Sequence, residues 1–148
     1  MITLQFIADH SPTSWLIRRF TWSPYSHVEL VLPDGRLLGA RGDGGVAIRE
    51  PARAPVVARF AVEAPDSVID TALQQLGRPY DWAAIAGIVT RRNWQQPDRW
   101  FCSELVAWAF DRAGHPLLRS QGHYLITPRD LLLSPYLSPI PEELQPAT

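Results

Sequence analysis

The chain has no lysine. All 14 of its basic residues are arginine, which reads as a coding bias rather than a function. It has one cysteine, Cys102, so an internal disulfide is excluded and the thiol is left as a buried hydrophobe, a metal ligand without partners or a nucleophile. It lacks a charge excess: the formal net charge is −1, and nothing in the totals argues for a general affinity for nucleic acid or an anionic membrane. Long apolar runs are also missing. Trp82 to Val89 is only about half of what a bilayer span needs. Met1 to Phe6 has neither a basic n-region nor a small-residue cleavage site, which excludes a signal peptide and leads us to expect a cytoplasmic protein without stable membrane insertion. There is no repeat and no low-complexity segment.

What is present fits one domain over residues 1–148, large enough to bury about two thirds of its unfolded surface. A proline-rich tail, 134–148, carries Pro135, Pro139, Pro141 and Pro146 and is expected to be an extended or frayed strap. The N-terminal part alternates with a period of two. Ile2 to Ile7 reads as a strand, and Thr13 or Ser14 is placed to cap a short helix through Phe20. His27 to Leu32, the turn Pro33-Asp34-Gly35 and Arg36 to Ala40 form the best hairpin. Val46 to Arg49 and Val56 to Val62 follow, so the first sixty residues read mostly as a β meander.

After Val62 the period changes to 3.6. Ser67 to Leu76 is helical with Val68, Ala72 and Leu76 on one side, and Gly77 and Pro79 end it. Trp82 to Thr90 is a candidate helix with Asp81 as N-cap. Cys102 to Ala113 is the firmest helix, with Leu105, Val106, Ala109 and Phe110 facing inward and Gly114 as stop. Thr127-Pro128 opens a short helix through Leu133. Segregated strands and helices predict an α+β fold.

Cys102 lies where the aromatic approach Trp100-Phe101 turns into this helix, and a helix N-terminus stabilises a thiolate. Trp82, Trp94, Trp100 and Trp108 cluster around it in sequence, as a heavy core or a hydrophobic cleft would require. A nucleophilic thiol needs an imidazole. Of the four histidines, His27 is the strongest candidate because it sits on an apolar strand, whereas His10, His115 and His123 read as loop residues. A group that orients the imidazole would come from Glu29, Arg41, Asp43 or a backbone carbonyl. Glu29 has the right charge, but residues two apart on a strand sit side by side and need a bent approach. Arg41 is also a candidate contact for substrate, and Tyr80 could present its hydroxyl to the site.

Gly77-Arg78-Pro79-Tyr80-Asp81-Trp82, followed some twenty residues later by Phe101-Cys102-Ser103-Glu104-Leu105-Val106, resembles the NlpC/P60 papain-like superfamily. Because Ser26-His27-Val28-Glu29 precedes the cysteine, the order looks like the circularly permuted branch, the YiiX/YaeF-like and lecithin:retinol acyltransferase-like proteins, some of which are phage or prophage products. The resemblance implies an antiparallel sheet packed against the cysteine-bearing helix, with Cys102 as nucleophile and His27 as base. It implies a thioester intermediate, the Cys102 N–H as oxyanion donor, and a substrate-positioning role for Tyr80. One departure stands out. Permuted relatives carry a polar residue about a dozen positions after the histidine, where this chain has Gly39-Ala40.

The expected function is a cysteine hydrolase of the amidase or peptidase kind, acting on a small peptide, amide or acyl substrate, with no cofactor, no metal and no nucleic-acid partner. The alternatives are a lipid-directed thiol hydrolase or acyltransferase, suggested by the tryptophans, and a non-enzymatic binding protein that keeps the scaffold, suggested by Gly39.

Overall fold

A computed structural model describes residues 1–51, 56–92, 98–119 and 125–141. Trp94, His123 and the end of the expected tail, with Pro146, lie outside the described residues. The described elements, in chain order, are β1 (Ile2–Ala8), α1 (Pro12–Thr21), β2 (His27–Val31), β3 (Leu37–Arg41), β4 (Gly45–Arg49), β5 (Val56–Val62), α2 (Ser67–Leu73), α3 (Trp82–Thr90), α4 (Cys102–Arg112), α5 (Pro128–Leu132) and β6 (Ser138–Ile140). The fold is α+β, as the period change predicts.

The strands form one antiparallel sheet of order β4-β3-β2-β1-β5-β6. The meander expected over the first sixty residues is therefore only partly present. β4 to β1 are neighbours in reverse order, but β5 crosses the sheet to pair with β1 along its whole length, from Ile2 opposite Val62 to Ala8 opposite Val56. β1 becomes a central strand, buried almost throughout. Part of the proline-rich tail turns out to be an edge strand, since Pro139 of β6 faces Phe60 of β5. Proline is tolerated there because an edge strand can spare one N–H.

Two helix details differ from expectation. The cap of α1 is Ser11, which accepts from the Ser14 N–H at 3.1 Å, rather than Thr13 or Ser14; Pro12 at the first helical position suits this start. α2 ends at Leu73, and Leu76 is exposed, because the chain is already turning toward Gly77 at φ 84°. Asp81 and Thr127 cap α3 and α5 as predicted, accepting from Ala84 N–H at 3.1 Å and Asp130 N–H at 3.4 Å.

Leu4, Phe6, Val28, Leu30 and Leu38 of the sheet meet Leu105, Val106, Ala109 and Phe110 of α4 in one buried cluster. Burial of each large side chain stabilises the fold by about 1.5–3 kcal/mol, so α4 is held firmly and the position of its first residue, Cys102, is fixed. Two short links join the sheet to the segment before α4. Val46 N–H donates to Arg78 O and Gly77 N–H to Val46 O, each at 2.9 Å. Trp100 N–H donates to Pro79 O at 3.1 Å and Asp81 N–H to Trp100 O at 3.0 Å, which sets Tyr80 beside the approach to Cys102.

Gly45 makes the first link possible. It sits at φ 70°, and a Cβ there would run into the Arg78 carbonyl and lie 3.1 Å from Pro79 Cα. Gly45→Ala is expected to destabilise the protein by about 2–4 kcal/mol, read as a lowered urea midpoint. Gly35→Ala, also at positive φ but with open space around it, should cost clearly less; equal losses would show that the Arg78 contact carries nothing.

Candidate functional site

His27 is the first residue of β2, beside Ile7 of β1. The site is organised by what happens two residues on. Glu29 is fully buried, and its carboxylate accepts from Arg41 in a bidentate pair, Nε to Oε1 at 2.9 Å and Nη2 to Oε2 at 2.7 Å. The same Oε1 lies 3.2 Å from His27 Nε2. The approach is oblique: it has the distance of an ion pair but not the alignment of a hydrogen bond, and Nε2 has no other partner. This is the bent geometry expected of neighbours two apart on a strand.

Gly39 makes the bend possible. A Cβ at position 39 would stand 2.7 Å from Glu29 Cγ and 3.0 Å from Oε1. The absent side chain on β3 is thus the space that the Glu29 side chain occupies, and a carboxylate reaches the imidazole from the histidine's own strand. Asp43, the other acidic candidate, is not at the imidazole; it is exposed and pairs with Arg49 at 3.4 Å. His10 and His115 are exposed, as loop residues should be.

Cys102 is buried at the start of α4 and interacts with His27. Burial pulls the His27 pKa down, but the Cys102 sulfur and the Glu29 carboxylate outweigh it and raise the value to about 9. Burial pushes Glu29 up, yet His27 and Arg41 hold it down at about 2. An imidazole influenced by both a sulfur and a carboxylate holds its proton more firmly than a free one. Tyr80 is buried near the same sulfur, and desolvation first, then the negative groups around it, push its hydroxyl far above the usual range, so it remains a hydrogen-bond donor.

A cleft of about 520 Å³ opens onto His27, Arg41, Tyr80 and Trp82. Its floor is apolar, with Ile7 and Ile17, and its rim polar, with Asp9, Ser11, Thr13 and Asp43. The Cys102 sulfur does not reach the surface of this cleft: Cys102 is fully buried, and 17% of the His27 side chain is what solvent meets. Trp82 stands 53% exposed at the start of α3, edge-on to Tyr80 with centroids 5.1 Å apart, and its ring rests where a side chain at Gly42 would be. The expected tryptophan cluster divides accordingly. Trp100 and Trp108 pack on each other with centroids 5.0 Å apart and planes tilted by 48°, against the core, and do not line the cleft. The wall from Asp9 to Ser14 was not foreseen. Asp9 lies just past the end of β1, where Ile7 pairs with His27, a non-local pairing that no local pattern reveals.

A search of solved structures matches the chain to the crystal structure of metalloprotein yiiX from Escherichia coli O157:H7, DUF1105, over 95% of both chains, with a TM-score of 0.68 and 19% identity. The chain has the fold of YiiX. At that identity the likeness speaks for architecture alone. No family model and no curated protein matches the sequence. Among the described residues no helix is long and apolar enough to cross a membrane.

Two outcomes follow from the Glu29 network. A raised His27 pKa gives stability that is complete below about 6.5 and lost as pH climbs through about 9, whereas the lowered Glu29 pKa gives stability that is complete above about 4.5 and lost as pH falls through about 2. Unfolding free energy should therefore drop by on the order of a few kcal/mol between pH 6 and pH 10, and His27→Gln should flatten that limb; an unchanged slope in the variant contradicts the assignment. Gly39→Ala should displace Glu29, cost about 1–3 kcal/mol, and lower the His27 pKa in an NMR titration. An unmoved imidazole pKa would mean that Glu29 does not act on it.

Proposed function

We propose that the chain is a cysteine hydrolase of the amidase or peptidase type, built on a circularly permuted papain-like plan and directed at a small peptide or amide. The observation that carries this reading is the position of His27 against the buried Glu29 carboxylate, which Arg41 clamps, and within electrostatic reach of the buried Cys102. In this reading Nε2 is turned to Glu29 and Nδ1 takes the thiol proton. The thiolate attacks the substrate carbonyl carbon, the C–O π electrons move to oxygen, and the Cys102 N–H at the free first turn of α4 supports the oxyanion. The intermediate collapses as the imidazolium gives its proton to the leaving amine, which leaves a thioester. Water, deprotonated by His27, then attacks the thioester, and the thiolate leaves and is reprotonated. Arg41 and Glu29 act as positioning residues, and Tyr80 and Trp82 as the walls that hold substrate.

The YiiX structure is described as that of a metalloprotein. The residues here do not fit a metal at this position. Among the described residues no three His, Cys, Asp or Glu side chains are grouped to hold an ion, and the Arg41 guanidinium already sits on both oxygens of the carboxylate beside His27. The mechanism therefore involves no metal step.

A second reading is favoured by one observation. Cys102 has no exposed surface, as would suit a binding protein that keeps the scaffold without the chemistry. For hydrolysis, the cleft must open past Tyr80 to admit substrate. Intact-mass measurement after exposure to a panel of muropeptides, peptide esters and acyl esters separates the readings: the hydrolase forms an adduct on Cys102 that His27→Ala abolishes. A small thiol reagent should label native Cys102 at least about tenfold faster in the parent than in His27→Ala. Labelling only on unfolding, at a rate indifferent to His27, would favour the binder.

A further inference from the structure

α1 and α3 pack against each other, and their matching ends line the same two hollows. Both begin at the cleft, α1 with Ser11 to Ile17 and α3 with Trp82. Both end at a second hollow of about 370 Å³, where Phe20 and Thr21 of α1 meet Ile88 of α3 and its C-cap Arg91. With about 1.5 Å of rise per residue, the two openings are roughly 15 Å apart on one side of the molecule.

The second hollow is basic and apolar together. Arg91, Arg92 and Arg129 line it with Phe20, Ile88 and Leu125. Arg19 lies over the Trp22 ring, 5.5 Å from its centroid, and Arg129 donates to the Trp22 carbonyl at 2.6 Å. Among the described residues, none of Arg19, Arg91, Arg92 and Arg129 has a carboxylate at ion-pair distance. The acid at this hollow, Asp130, is occupied by the Thr127 N–H and hydroxyl, each at 2.7 Å.

The backbone adds an independent mark. Trp22 and Arg91, at φ 56° and 54°, are the non-glycine residues in the left-handed region among those described, and each is the C-cap of a helix ending here. Glycine takes that conformation far more easily. Helix dipoles account for Arg18 and Arg19 in the last turn of α1. They do not call for a tryptophan, 70% exposed, at a strained cap.

We propose that this face docks the protein on an anionic lipid bilayer, with Trp22 and Phe20 at the level of the headgroups and Arg19, Arg91, Arg92 and Arg129 on lipid phosphates. Tryptophan and arginine suit such an interface because each joins an apolar body to a polar tip, and segregated arginines attract an anionic surface even in a chain of net charge −1. The exposed rings favour a surface into which they can enter over a nucleic-acid backbone. The inference is independent of the chemistry proposed for Cys102.

Co-sedimentation of the full chain with vesicles of phosphatidylcholine, alone or mixed with phosphatidylglycerol, tests it. Pelleting with the mixed vesicles only is expected. Arg91→Glu combined with Arg92→Glu should weaken it by about tenfold or more, whereas Arg36→Glu, in the β2–β3 hairpin, should leave it unchanged. Trp22→Gly should reduce binding with no fall in Tm, since it relieves the left-handed cap; should it fail to fold, the arginine pair decides. Equal pelleting with both vesicle types, pelleting with neither, or equal loss in Arg36→Glu overturns the proposal. Displacement from the vesicles by millimolar inorganic phosphate at constant ionic strength would also overturn it, assigning the hollow to a small soluble anion.

Discussion

A single carboxylate holds the site together. Glu29 is buried at the centre of the sheet, and a charge there is tolerated only because Arg41 takes both of its oxygens and His27 stands against one. Remove the guanidinium and the carboxylate would be an uncompensated buried charge; remove the space at Gly39 and it could not lie where it does. The orientation of the imidazole and its affinity for a proton both depend on this arrangement. So does any chemistry assigned to Cys102.

The arrangement puts the carboxylate on the histidine's own strand, with no side chain on β3 between them. A polar residue expected on β3 is missing, and the neighbouring strand fills the gap from within, through a side chain that bends across a glycine. The departure at Gly39, which on the sequence weakened the case for an oriented base, becomes part of the design once Glu29 is seen to occupy the vacated volume.

Local physics was the legible part of this chain. The caps at Asp81 and Thr127, the hairpin around Pro33-Asp34-Gly35, the inward face of α4 and the α+β class all follow from short-range spacing, and all are present. Non-local features were not legible. The return of β5 to β1 depends on which strand edge is free, and the cleft wall at Asp9 follows from the facing of Ile7 and His27. The choice of Ser11 over Thr13 as cap turned on Pro12. The meeting of Arg91 and Arg92 with Phe20 and Arg129 at the ends of α1 and α3 is a matter of packing that no local pattern reveals. At the candidate site, Cys102 and His27 could be paired from motif order, but the burial of the sulfur could not be read.

That burial bears on the central claim, that Cys102 and His27 form a working pair behind Tyr80. The most direct measurement is a crystal structure of the protein after exposure to a peptide aldehyde. The account predicts a hemithioacetal at Cys102 Sγ, Tyr80 displaced from its position in the free protein, and Glu29 still clamped by Arg41 against His27. An aldehyde lodged in the cleft with the sulfur unmodified and Tyr80 unmoved would contradict it.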